Sequence, residues 1–188
     1  LSDKTLKINL NKNIYGSFSE IGAGQETARH FFRAGAASRT IAKAMSAYDK
    51  QFSDAIYTTE PDGRYVTENR LHKMLDHEVQ LLEERLDHSE NPNRIYFSYA
   101  NTVATIDFAK KFKGHGWVGI RFQNEPQGEF NEIILHIQFK ENDVLLQQRT
   151  LGTLGVNLIY GAFYQYHDPK KLIYNLYDHL DKEQLEID

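Results

Sequence analysis

The sequence predicts an α/β or α+β domain, a mixed sheet of about four or five strands that includes a hairpin and is packed by several helices. Three observations carry this expectation. Val66 to Leu86 and Leu145 to Phe163 place apolar residues at spacings of three and four, the period of a helix with one buried face. Between them, Arg94–Asn101, Gly116–Gln123 and Glu132–Lys140 are short, rich in β-branched and aromatic residues, and bounded by turn formers. Near the N-terminus, Ile14 to Gly35 passes from alternating apolar residues through Gly22-Ala-Gly24 into helical spacing at Ala28, Phe31 and Phe32.

In chain order, residues 1–13 alternate apolar and polar at Leu6, Ile8 and Leu10, which predicts an edge strand or an extended arm. The Ile14–Gly35 strand, turn and helix follow. Ile41, Ala44, Met45 and Tyr48 then share one face of a predicted helix, with Ser38 or Thr40 as its N-cap, and Phe52, Ala55 and Ile56 continue it or pack beside it. Pro61-Asp-Gly63 is a turn, because Pro fixes φ and Gly supplies a positive one.

Thr67 is the expected N-cap of the long helix, which Asn91-Pro-Asn93 stops. A strand over 94–101 leads through a polar connection at 102–113 to the hairpin, whose loop, Asn124 to Asn131, contains both Pro and Gly. The last long helix is interrupted by Gly152, Gly155 and Gly161, which points to close packing against another backbone or a ligand. A short helix after Pro169 and a strand within Asp181–Asp188 complete the chain, and we expect residues 1–188 to form a single domain.

Composition narrows the function classes. A formal charge of -4 and a pI near 6.1 argue against general affinity for nucleic-acid backbones, which requires clustered cations. With no cysteine, disulfides, thiolate metal sites and a Cys nucleophile are excluded. No apolar run approaches the ~20 residues that span a bilayer, so no membrane partner and a cytoplasmic location are expected. The chain starts at Leu1 without an initiator Met, which fits a processed chain or part of a longer one.

Three blocks carry a family resemblance. Gly16-Ser-Phe-Ser-Glu-Ile-Gly-Ala-Gly-Gln-Glu26, Met45-Ser-Ala-Tyr-Asp-Lys-Gln-Phe-Ser-Asp-Ala-Ile-Tyr57 and Leu151-Gly-Thr-Leu-Gly-Val-Asn-Leu-Ile-Tyr-Gly-Ala-Phe163 resemble those of a family of uncharacterised bacterial proteins. Its members are longer polypeptides, so the resemblance implies an N-terminal portion. Some are labelled TonB-dependent receptors, yet this sequence shows no outer-membrane strand periodicity. The resemblance implies no catalytic residues.

Candidate chemistry therefore comes from the residues themselves. The turn Gly22-Ala-Gly24 opens a helix, and the N–H groups of Gly24, Gln25 and Glu26 could hold a small anionic molecule, a nucleotide among the candidates. It is no dinucleotide or triphosphate loop, since Thr27 replaces the third Gly and no Gly-Lys-Ser/Thr follows. Glu20, Glu26, Asp49 and Asp54 could converge on a divalent cation, which takes oxygen ligands. Gly114-His-Gly-Trp117 sets a titratable His115 beside a large π surface, so His115 joins Glu20 and Glu26 as a candidate catalytic group, with Trp117 and Arg121 as ligand-binding walls.

His72 and Asp76 at i,i+4, with His77-Glu78 next to them, read as an exposed face carrying an ion pair. Gln138 and Lys140 on a strand allow a metal-dependent nuclease-like alternative, although Gln stands where an acid is usual. The leading reading is a domain that binds a small anionic ligand. Competing readings are a non-catalytic interaction or homo-oligomerisation domain and the nuclease-like one.

Overall fold

A computed structural model describes residues 1–188. The chain forms α1 (Ser2–Leu10), β1 (Ile14–Ile21), α2 (Glu26–Ala34), β2 (Ile41–Met45), α3 (Lys50–Tyr57), α4 (Glu68–Arg85), β3 (Ile95–Ala104), β4 (His115–Gln123), β5 (Phe130–Phe139), α5 (Val144–Tyr164), α6 (Pro169–Leu176) and β6 (Leu185–Ile187). The six strands make one mixed sheet in the order β2-β1-β3-β4-β5-β6. β1 runs parallel to β2 and β3, whereas β3 to β6 are antiparallel neighbours.

This order explains which helices lie where. From β1 the chain crosses to β2 through α2, then returns past β1 to β3 through α3 and α4. Right-handed crossovers in opposite directions put their helices on opposite faces of the sheet. On one face, 23 buried apolar residues join β1, β3, β4 and β5 to α2 and α5, with Phe18, Phe97 and Phe31 at the centre. On the other face, a cluster of six centres on Leu71, Met74 and Leu75 of α4 against Ala100 of β3. Most of the hydrophobic stabilisation therefore resides on the α5 side.

Two segments differ from expectation. Residues 2–10 are a helix and not an edge strand. Thr5, Ile8 and Asn9 are its buried positions, at helical spacing, while Leu6 and Leu10 face solvent. Asn9 fixes it, donating from its amide to the carbonyls of Phe31 (2.9 Å) and Gly35 (2.8 Å) at the end of α2.

Ile41–Met45, expected to be helical, is the edge strand β2. Ala44 packs on the large cluster and its neighbour Met45 on the small one, the two-sided alternation that only a strand gives. The predicted N-cap Thr40 instead passes its carbonyl to the N–H of Gly16 (2.8 Å), which aligns β2 with β1. The helices at 68–85, 144–164 and 169–176, the Thr67 cap and the β4–β5 hairpin lie where the sequence places them.

α5 and α2 touch along two of the glycines in α5. A Cβ on Gly152 would stand 2.6 Å from Cβ of Glu26, and one on Gly155 only 2.2 Å from Oγ1 of Thr27. No helix is long and apolar enough to cross a membrane.

Candidate functional site

At the start of α2 the protein's own carboxylate takes the N–H groups of Thr27 and Ala28, next to the predicted donors Gly24, Gln25 and Glu26, which it does not reach. Glu20, 1% exposed, accepts hydrogen bonds from the N–H groups of Thr27 (3.2 Å) and Ala28 (3.1 Å) and from the amide of Asn101 (3.2 Å). Burial pushes its carboxyl above the ordinary range, and the bonds from Ala28, Thr27 and Asn101 oppose that rise. Glu20 thus closes the helix end from inside.

The four carboxylates do not converge. Glu26 pairs with Arg29 (3.4 Å), Asp49 caps α3 through the N–H of Phe52 (2.9 Å), and Asp54 meets Arg70 (3.3 Å) and the Tyr65 hydroxyl (2.7 Å). No three His, Asp or Glu side chains anywhere in the chain stand close enough to share a metal ion. The expected divalent site at Asp49 and Asp54 therefore has no geometry, and the nuclease-like reading loses its metal seat. Lys140 and Gln138 turn instead to Glu186 (3.5 Å) and Asp188 (3.2 Å) at the β6 edge.

His115 and Trp117 do meet, on the α4 face of β4, but with His136 of β5 and not with Glu20. His115 Nδ1 lies 3.0 Å from His136 Nε2, the Trp117 ring stacks on His136 at 4.6 Å, and His136 Nδ1 reaches Asp188 at 2.5 Å. Burial and the neighbouring His136 hold the His115 imidazole below its usual range. Arg121 is taken up by Asp76 and Glu132, tying β4 to α4 and β5. His72 joins this network at Glu132 (3.1 Å).

One of the predicted residues opens onto a real cavity. In a parallel sheet, the two connections leaving β1 in opposite directions part above its carboxyl end and leave a crevice between β1 and β3. A cleft of about 170 Å³ occupies that position, lined by Ile21 and Gly22 after β1, Thr102 and Val103 of β3, Tyr48 and Lys50 after β2, and Ser53, Tyr65 and Arg70. Gly22 is required here. Its φ is +104°, and a Cβ would lie 1.8 Å from the carbonyl oxygen of Val103.

Arg70 forms the cleft floor and is 1% exposed. Its guanidinium donates to the carbonyl of Thr58 (2.5 Å), Glu60 (3.2 Å), Ser53 Oγ (2.8 Å) and Asp54 (3.3 Å), locking α3 and the following segment onto α4. The Tyr65 ring carries two cations, with the Arg70 guanidinium carbon 4.8 Å and Lys50 Nζ 5.2 Å from its centroid. Thr102 Oγ1 donates to the Tyr65 carbonyl at 2.7 Å and holds that residue over the cleft. Tyr48, 73% exposed, stands at the rim. The cleft thus offers aromatic faces and an exposed ammonium over a floor in which the Arg70 guanidinium is ion-paired with Glu60 and Asp54.

Trp117 is one strand from this cleft, directly opposite Thr102 in the β3–β4 register, whereas Gly24 and Gln25 are exposed beyond it. Lys50, Tyr65, Arg70 and Thr102 carry no local motif that marks them as cleft residues, and Tyr48, expected on an apolar helix face, is exposed at the rim. A signal existed in α4. Arg70 and Glu78 fall on the stripe that also holds Leu71, Met74 and Leu75, and a charge on an apolar stripe requires a buried partner. Glu78, expected on an exposed face, is wholly buried beside Lys43 (2.5 Å) and the Tyr57 hydroxyl (2.7 Å).

Compared by sequence, the chain matches no protein-family model and no curated protein. Its fold does match solved structures. A competence-damaged protein (CinA) superfamily member from Klebsiella pneumoniae aligns with 92% of this chain and 96% of its own at a TM-score of 0.58 and 10% identity. A competence/damage-inducible protein from Agrobacterium tumefaciens aligns at 0.56 and 12% identity, over 84% and 92% of the two chains. One from Enterobacter asburiae aligns at 0.53 and 10%, over 86% and 94%. At these identities the likeness is one of fold.

Proposed function

We propose that this chain is a binding domain for a small anionic ligand with a planar ring, a nucleotide being the leading class, and that the ligand enters the cleft between the carboxyl ends of β1 and β3. The carrying observation is the joint presence there of Tyr48, Tyr65 and Lys50 above the buried Arg70. The rings supply stacking surface and the exposed Lys50 supplies charge complementarity, while Arg70, ion-paired with Glu60 and Asp54, holds the cleft's walls in place. The α/β fold and the position of the cleft at the strand-order reversal support the reading.

A thermal-shift panel of nucleotides, nucleosides and carboxylates tests it, because a ligand that binds only the native state raises the melting temperature. The expected result is a rise with a ring-bearing anion that Lys50→Ala and Tyr48→Ala each diminish. Both residues are exposed, so the variants keep the fold. A panel that leaves the wild-type melting temperature unchanged sinks the reading.

A second reading, self-association, draws on the connection before β4. Phe108 and Phe112 are exposed there, and Gln147 at the start of α5 binds the same segment through the carbonyl of Lys113 (2.7 Å), next to the exposed Val144 and Leu146. Sedimentation over a range of concentrations tests it, with a dimer lost in Phe108→Ser as the supporting outcome.

A further inference from the structure

A second cavity lies away from the cleft, between α2 and α5 on the opposite face of the sheet. Its volume is about 390 Å³, and it is lined by Glu26, Arg29, His30 and Arg33 from α2 and by Leu145, Arg149 and Thr153 from α5. The residues follow from helix geometry. Positions 26, 29, 30 and 33 form one stripe of α2, and 145, 149 and 153 form one stripe of α5. The missing side chains of Gly152 and Gly155 let the two helices touch, so the stripes face each other across a narrow groove.

The groove is positively charged in a chain whose net charge is -4. Three guanidinium groups converge on it with a single carboxylate, and Arg29 already neutralises that carboxylate at 3.4 Å. Arg33 and Arg149 are exposed and form no ion pair. Glu26 offsets Arg29 alone, so the charges of Arg33 and Arg149 stand without a carboxylate partner and favour an anion in the groove. Leu145 is the one apolar residue in the lining, so the groove has little to offer an apolar ligand.

We infer that the α2–α5 groove is a binding site for a compact phosphorylated small molecule, seated on Arg33 and Arg149, with Arg29 between Glu26 and Arg33 on the α2 wall. The planar guanidinium fork matches phosphate oxygens two at a time, and two forks on facing helices can grip adjacent phosphoryl groups. The Thr153 hydroxyl supplies a further donor. Burial holds the His30 imidazole below its usual range, so the positive charge near neutral pH comes from the arginines. This site is separate from the ring-binding cleft and does not depend on it.

Inorganic pyrophosphate, titrated calorimetrically at low and moderate salt, is the probe. We expect saturable binding that the double variant Arg33→Ala, Arg149→Ala weakens by about tenfold or more. Arg33→Lys should weaken it in part, because a lysine keeps the charge and loses the fork. Lys50→Ala and Tyr48→Ala should leave it unchanged, which separates failure of this site from failure of the cleft. The altered arginines are exposed, and an unchanged far-ultraviolet dichroism spectrum confirms the fold. Absence of saturable binding, equal binding by the double variant, or capture of single-stranded oligonucleotide without pyrophosphate would each overturn the inference.

Discussion

The carboxylate of Glu20 caps α2 from the end of β1, accepting the N–H groups of Thr27 and Ala28 at 3.2 and 3.1 Å. An acidic residue at a strand end and a helix that begins six residues later thus form one internal unit, with the carboxylate serving the second and third residues of the helix. Replacing Glu20 by Ala leaves two buried N–H groups and the Asn101 amide short of an acceptor. We expect a loss of about 2–4 kcal/mol in unfolding free energy, since each orphaned buried donor costs about 1–3 kcal/mol and the region can relax in part. Urea denaturation measures it, and a loss within experimental error would show that solvent reaches these donors.

His115 provides a pH dependence. Its folded pKa lies below the ordinary 6.5, first through burial and then through the adjacent His136, which itself faces Asp188. Between the folded value and 6.5 the unfolded chain binds the proton and the native one does not. Native stability from this group is therefore fully present above 6.5 and declines as pH falls toward the folded value. Melting temperature measured from pH 7.5 downward should begin to drop near 6.5, and His115→Asn should flatten that part of the curve. An identical slope in the variant would place the dependence elsewhere, with His30 the next group to examine.

The glycines of α5 differ in what surrounds them. Gly155→Ala would push a methyl to 2.2 Å from Thr27 Oγ1 and 2.5 Å from the Tyr99 hydroxyl, two groups that hold each other at 3.1 Å. Overpacking of this kind costs about 1–3 kcal/mol. It outweighs the gain of about 1 kcal/mol from removing a helix glycine. At Gly161 the nearest atom is the Asn175 amide nitrogen at 3.1 Å, the end of a side chain, so there the two effects come close to cancelling. Denaturation midpoints of the two variants should separate accordingly, and equal midpoints would contradict the close α2–α5 approach.

Sequence pattern was sufficient wherever burial was long and continuous. α4 buries one stripe over many turns, α5 is apolar and buried on nearly all sides from Thr150 to Ala162, and the β4–β5 hairpin is framed by its own turn residues, so local pattern and tertiary environment agree. It failed at Ile41–Met45, where Ile41 and Ala44 pack on the large core and Met45 on the small one, and the same apolar spacing suits a helix or a two-faced strand. It failed again at residues 2–10, where Thr5 and Asn9 are buried by hydrogen bonding and carry no hydrophobic signal. The cleft was legible only at Gly22. Its other walls come from three further segments, 47–53, 65–70 and 102–103, that the crossovers bring together, and no spacing in the chain encodes that meeting.

Arg70 joins the fold to the cleft and gives the sharpest separation of stability from binding. Its guanidinium lies between Glu60 and Asp54 and also holds the Thr58 carbonyl and the Ser53 hydroxyl. Arg70→Met keeps much of the apolar stem but leaves the buried Glu60 with Lys73 (2.9 Å) as its only remaining cation. Breaking a buried pair by removing one partner typically costs about 3–5 kcal/mol, and the half-buried Asp54 and the remaining Lys73 place this case at the lower end. Arg70→Lys should recover only part of the loss, since one ammonium cannot span acceptors on both α3 and the 58–60 segment. Both variants should also lose the ligand-induced rise in melting temperature expected of the cleft, because Ser53 and Tyr65 are positioned by the same contacts. Lys50→Ala should diminish that rise while leaving the unliganded stability within about 0.5 kcal/mol of wild type, as expected for an exposed side chain. If Arg70→Met retained the wild-type ligand response, the cleft would not depend on its floor, and the site would have to be sought among the other basic surfaces of the protein.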